Sequence, residues 1–108
     1  MLFRSGIVEP NQKVVVIEDL VSTGQSSLKA AHALQDIKCN VLGMIAIFTY
    51  ELPIAQQRFD EAKLSLFTLT NYNTLVEEAI TKGYIEANEQ ETLIEWRKAP
   101  AAWAKKFE

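Results

Sequence analysis

One cysteine and one histidine stand among the 108 residues, with four glycines and three prolines. Cys39 alone cannot close an intramolecular disulfide, and neither it nor His32 has the companions that a zinc-type site needs. Apolar runs stop well short of the roughly 18 residues that a membrane span requires. No stretch has the layout of a secretory signal, so a cytoplasmic location without a membrane partner is the expectation. Charge of one sign is also scarce: 14 acidic against 11 basic residues leave a formal net charge of -3, which gives nucleic acid no broad attraction. Internal repeats and low-complexity segments are missing as well. What remains, 48% hydrophobic and 23% charged, is the composition of a packed globular chain with room for one small domain.

The pattern along the chain is that of an α/β protein. Residues 1–6, Met1 to Gly6, precede any convincing element and read as foreign or junction residues; 7–108 read as part of a single domain. Val14 to Glu18 is a continuous apolar run rich in β-branched residues, which predicts a central strand covered on both faces. Ser26 or Ser27 is placed to cap a helix to about Lys38, with Leu28, Ala31, Leu34 and Ile37 on one stripe. Asn40 suits a left-handed cap position, and Val41 to Phe48 is a second unbroken strand, making a right-handed strand–helix–strand crossover. After a turn at Thr49 to Pro53, a short helix carries Ala55, Phe59 and Ala62 inward, and Leu64 to Leu69 forms a third strand. Asn73 is placed to cap a helix with Leu75, Val76, Ala79 and Ile80 on its stripe and Gly83 at its end. A last helix starts at Asn88 with Glu91 in capping-box position, and Pro100 stops it. The charges between Glu86 and Glu95 form its solvated face, and the aromatic Trp103 and Phe107 pack a tail against the body. The fold class is a Rossmann-like parallel sheet with flanking helices.

Chemistry concentrates in Val14-Val15-Val16-Ile17-Glu18-Asp19-Leu20-Val21-Ser22-Thr23-Gly24-Gln25-Ser26-Ser27. A strand carries two carboxylates to its carboxyl end, where open α/β sheets hold their ligands. The loop Ser22 to Ser26 can turn backbone N–H groups around an anion, with the partial positive charge of a helix N-terminus behind them. Acids beside an anion cradle suit a ligand with both hydroxyls and a phosphate, as in a ribose 5-phosphate. Outside this stretch, Tyr50 lies on the same rim and is placed to touch a ligand, Cys39 reads as a small buried hydrophobe, and His32 as an ordinary helix residue.

The stretch resembles the phosphoribosyl-diphosphate signature of the type I phosphoribosyltransferases. Through that resemblance Glu18 and Asp19 hold the ribose hydroxyls and serve as catalytic acids that stabilise positive charge at the sugar C1. Phosphoribosyl diphosphate is then bound by Glu18, Asp19, Leu20, Val21, Ser22, Thr23, Gly24, Gln25 and Ser26. Gln25 departs from the second glycine usual in relatives, yet removes no N–H donor. The run Asn40 to Pro53, with Leu69-Thr70-Asn71-Tyr72 and Gly83-Tyr84-Ile85, is similar to the C-terminal half of the bacterial orotate phosphoribosyltransferase family. That family transfers ribose 5-phosphate from phosphoribosyl diphosphate to orotate, giving orotidine 5-phosphate and diphosphate. The resemblance implies an orotate contact from Ser22, with Tyr50 a further candidate that departs from the orotate-contacting arginine of some relatives; it implies no metal ligand in the chain, and Mg²⁺ held mainly through substrate diphosphate and ribose hydroxyls. It also implies a homodimer, and an N-terminal half bearing the base hood and a catalytic loop, which this sequence does not contain. Alone, the chain is therefore expected to be inactive, with an apolar edge at Val14 to Glu18 that favours self-association. A non-catalytic sensor of phosphoribosyl diphosphate or nucleotide, or a purine phosphoribosyltransferase, would share the cradle. A phospho-acceptor receiver domain would need an aspartate closing the second strand, where Thr49-Tyr50-Glu51 stands.

Overall fold

In the computed structural model the described residues are 7–102; the expectations for Met1 to Gly6 and for Trp103 and Phe107 lie outside them. The order is β1 (Lys13–Val21), α1 (Gln25–Asp36), β2 (Asn40–Thr49), α2 (Pro53–Ala62), β3 (Leu66–Asn71) and α3 (Tyr72–Thr81). A 3₁₀ turn (Ala87–Glu89) then leads into α4 (Gln90–Lys98). The three strands pair in chain order, β1-β2-β3, and both pairings are parallel. Parallel neighbours need a crossover, and α1 and α2 supply one each. The core lies where these helices meet the sheet, around Val21, Leu28, Ala31, Met44, Ala46 and Phe59.

Several local expectations are corrected. The parallel ladder carries β1 past Glu18, pairing Leu20 with Phe48 and Val21 with Thr49, so the two acids sit within the strand. The central position belongs to β2, and β1 is an edge. Nor is β1 covered on both faces: Val15 and Ile17 are exposed while Val14 and Val16 turn toward the helices. An unbroken apolar run does not say which of its faces has a cover.

Gly24, not Ser26 or Ser27, caps α1, because its carbonyl accepts the first helical bond, from Leu28 N–H at 3.0 Å. The helix ends at Asp36, and the left-handed residue after it is Lys38 (φ 69°). Asn40 instead enters β2, its N–H donating to the Gln12 carbonyl at 2.8 Å. Ala55 and Phe59 of α2 are buried as the stripe predicts. Leu64 is spent closing α2, its N–H donating to Phe59 O at 3.1 Å, so β3 opens at Leu66, which pairs with Met44.

The cap of α3 is Asn71, whose side chain accepts from Thr74 N–H at 2.9 Å. Asn73 has other partners: its N–H donates to Glu51 Oε1 at 3.2 Å and its Oδ1 accepts from Arg97 Nη1 at 2.8 Å. Gly83 (φ 78°) ends the helix region as expected, while of the predicted stripe Val76 is buried and Leu75 is exposed. The capping box falls two residues early, between Glu86 and Glu89, where it opens the 3₁₀ turn ahead of α4. Tyr72 Oη donates to Leu93 O at 3.1 Å and fastens α4 to the start of α3.

Candidate functional site

The connection from β1 to α1 is short because Val21 is fully buried and Gly24 must bend the chain at once. Gly24 has φ 83°, a left-handed conformation that costs a residue with a Cβ. An added Cβ would also stand 3.2 Å from Phe59 Cε2. Backbone bend and close packing on α2 thus both call for glycine.

Beyond that bend the N-terminus of α1 has no side-chain cap. The Gln25 N–H reaches Thr23 Oγ1 at 3.4 Å, and the first helical bond belongs to Leu28. First-turn N–H groups of a helix have no intrahelical acceptor, so those of Ser26 and Ser27 face out of the helix end. Ser22, Thr23, Gln25 and Ser26 are exposed, and three of them carry hydroxyls. Unpaired N–H groups, the helix dipole and hydroxyls together suit an anion.

One participant escaped the sequence reading. Arg58 of α2 reaches across to the loop, its Nη1 donating to the Thr23 carbonyl at 3.0 Å. The signal was faint: Arg58 precedes Phe59 on a helix whose packing under Gly24 appears only in three dimensions. Its guanidinium adds a positive charge beside the cradle.

Glu18 and Asp19 are adjacent, but strand alternation turns them to opposite faces. Glu18 shares the half-buried side with Val14 and Val16, and Asp19 the exposed side with Val15 and Ile17. A ligand touched by both therefore straddles the end of β1. Burial pushes the Glu18 carboxyl above its ordinary value, and the charge of Asp19 pushes it further the same way. Asp19 Oδ1 accepts from the Leu20 N–H at 2.7 Å, which fixes that carboxylate against its own backbone. Among the described residues no three acids, histidines or cysteines gather as a metal site. The two carboxylates are hard oxygen donors, suited to a cation that draws its other ligands from a bound molecule and water.

Tyr50 is joined to the site through its backbone, its N–H donating to Val21 O at 3.2 Å. Its ring packs among aromatics, with centroids 5.1 Å from Phe48, 5.8 Å from Trp96 and 6.0 Å from Tyr72. A cavity of about 300 Å³ opens beside it, lined by Tyr50, Tyr72, Thr92, Leu93 and Trp96. A larger space of about 760 Å³ lies between α2 and β3 and includes no residue of the cradle. Cys39 is buried as expected, its thiol donating to Glu9 O at 3.4 Å, and His32 is exposed, with Nδ1 3.1 Å from Gln35 Oε1.

The parallel strands, the Gly-turned loop and the open helix end define a phosphoribosyltransferase fold, of which this chain carries a three-stranded portion. Curated relatives that it matches include orotate phosphoribosyltransferases: that of Porphyromonas gingivalis is 54% identical over 98 residues, 91% of this chain and 47% of the relative. The chain thus spans about half the length of the curated relatives it matches. The crystal structure of the Mycobacterium tuberculosis orotate phosphoribosyltransferase in complex with 5-phospho-alpha-D-ribosyl 1-diphosphate aligns with a TM-score of 0.58 and 28% identity, covering 64% of this chain and 42% of that one. Leishmania donovani UMP synthase aligns with a TM-score of 0.72 over 86% of this chain and 21% of its own, and at 17% identity it speaks for the fold alone. No protein-family model matches the chain.

Proposed function

We propose that this chain is the ribose-phosphate-binding portion of an orotate phosphoribosyltransferase. The whole enzyme moves ribose 5-phosphate from phosphoribosyl diphosphate to orotate, yielding orotidine 5-phosphate and diphosphate for pyrimidine synthesis. The observation that carries the reading is the loop itself: a helix N-terminus with no side-chain cap, a glycine bend and two strand carboxylates, within 98 residues 54% identical to an orotate phosphoribosyltransferase.

In this reading the N–H groups and hydroxyls from Ser22 to Ser26 hold the 5-phosphate, while Glu18 and Asp19 take the 2- and 3-hydroxyls. With both ends of the sugar fixed, the C1–oxygen bond to diphosphate breaks as a bond from C1 to a ring nitrogen of orotate forms. Positive charge develops on the ribose meanwhile, and preorganised carboxylates stabilise it. Ser22, exposed at the loop opening, and Tyr50 are the orotate-side contacts. With Glu18 and Asp19 as the nearest protein oxygens, Mg²⁺ would be held mainly through the substrate and would supply charge neutralisation for the leaving group. The whole protein works as a cytoplasmic homodimer.

A chimera tests this directly. Residues 7–108 replace the aligned stretch of the Porphyromonas gingivalis relative, and phosphoribosyl transfer is followed with orotate, hypoxanthine and adenine. Turnover of orotate alone is expected. Turnover of a purine instead, or phosphoribosyl-diphosphate binding with no transfer to any base, overturns the assignment.

A further inference from the structure

Two neighbours on α2 grip two neighbours on the loop: Arg58 Nη1 donates to the Thr23 carbonyl at 3.0 Å, and the Phe59 ring packs against Gly24. The grip has a firm base, since Ala55 and Phe59 are buried and fix where α2 stands. What the Arg58 bond holds is a peptide plane. The Thr23 carbonyl and the Gly24 N–H belong to one planar trans unit and point in opposite directions, so a carbonyl drawn toward Arg58 aims the Gly24 N–H away from it. Among the described residues that N–H donates to no acceptor. Gly24 is also where the plane turns over most easily: the flip would carry its φ from 83° to about −100°, which glycine tolerates as well. The contact of Thr23 Oγ1 with the Gln25 N–H, at 3.4 Å, leaves that plane free to turn.

We propose that Arg58 is a positioning residue for the anion: by holding the Thr23 carbonyl on the α2 side, it keeps the Gly24 N–H turned into the cradle beside those of Ser26 and Ser27. The inference rests on the ribose-phosphate reading of the loop and names the residue that sets its donor geometry. It differs from a plain charge effect. A nearby guanidinium favours an anion through space, in a way that salt screens and that all the loop donors share. A clamp on one carbonyl acts instead on one peptide and one N–H. Its loss is doubly unfavourable, because the flipped plane turns an oxygen lone pair on the phosphate where a charge-assisted donor had stood. Glycine thus gives the loop its bend together with a freedom to flip, and Arg58 removes that freedom.

Amide-resolved NMR of the full chain, titrated with inorganic phosphate, reads the orientation of the plane. The Gly24, Ser26 and Ser27 amide protons are expected to shift downfield as phosphate is added, because hydrogen bonds to an ionised acceptor are short and strong. In Arg58→Ala the Gly24 shift is expected to vanish, while those of Ser26 and Ser27 persist at higher phosphate. Arg58→Lys keeps a donor at the same helix position and is expected to retain the Gly24 shift. Unmoved amide resonances along β2 show that each variant is folded. A Gly24 shift that survives Arg58→Ala, or one lost together with those of Ser26 and Ser27, overturns the clamp. So does a Gly24 amide that stays silent in the unsubstituted chain while Ser26 and Ser27 respond. No response at any amide from Ser22 to Ser27 overturns the ribose-phosphate reading itself, and the clamp with it.

Discussion

Arg58 and Thr23 are 35 residues apart in sequence, yet the guanidinium Nη1 of one lies 3.0 Å from the carbonyl oxygen of the other. Through that bond α2 holds the loop that opens α1. A charged donor on a neutral carbonyl contributes about 1.5–3 kcal/mol where water is excluded, and less at this exposed position. Arg58→Ala is expected to weaken inorganic phosphate binding by about three- to tenfold, at about 1.4 kcal/mol per decade. Arg58→Lys retains the charge but not the fork, and is expected to fall between. Calorimetric titration of each variant checks the order; equal affinity in all three detaches Arg58 from the cradle.

Gly24 combines φ 83° with a 3.2 Å approach to Phe59. Gly24→Ala therefore meets both backbone strain and a side-chain collision. A loss of about 1–3 kcal/mol is expected, from the left-handed penalty plus overpacking. Urea denaturation of the chain measures it, and a change below about 0.5 kcal/mol, the size of an ordinary surface substitution's effect, contradicts the geometry.

Glu18 prescribes a pH dependence. Burial first, and Asp19 second, raise its carboxyl above the ordinary 4.5, so the folded state binds this proton more tightly than the unfolded state. Stability from this group consequently falls as pH climbs from the unfolded value through the raised folded value, and the penalty is complete above it. Glu18→Gln is expected to flatten that descent and to make the chain more stable at neutral pH. Urea midpoints across this window decide; an unchanged slope in the variant removes Glu18 as its source.

Arg97 binds three parts of the carboxyl rim together. Its Nη1 donates to Asn73 Oδ1 at 2.8 Å and stands 3.6 Å from Glu51 Oε1, at a residue whose φ is 58°. The pair is partly screened, with side-chain exposures of 19% and 33%, so Arg97→Ala is expected to cost about 1–2 kcal/mol. For a chain of this size that is a fall of roughly 4–16 °C in Tm. Near-ultraviolet circular dichroism should change with it, because Trp96 and Tyr50 lose their fixed contact. A lower Tm with an unaltered aromatic signal would separate Arg97 from the ring cluster.

The alternation of strands and helices was legible because apolar runs and stripes report burial directly. The cradle was legible because a glycine among hydroxyl residues, after a strand and before a helix, has few other uses. Boundaries were less so. Asn71 and Asn73 offer the same side chain two residues apart, and only the hydrogen bond reaching Asn73 from Arg97 of α4 decides which one caps α3. Glu18 and Asp19 read as one acidic tip until the ladder to β2 continued through Val21 and set them on alternate faces. Arg58 depends on the docking of two helices, which no local pattern encodes.

The strand order β1-β2-β3 also bears on how the chain acquires its shape. Each strand pairs with the next one in sequence, across a single helix. Such nearest-neighbour topology keeps loop closure short for a parallel sheet, so assembly can advance stepwise from β1 toward β3. The clasp of α4 on the rim joins the three strands through Tyr72, Asn73 and Glu51, outside the sheet's own ladder. In hydrogen exchange, α4 should open at lower free energy than β2, leaving the cradle intact while the rim beside Tyr50 breathes.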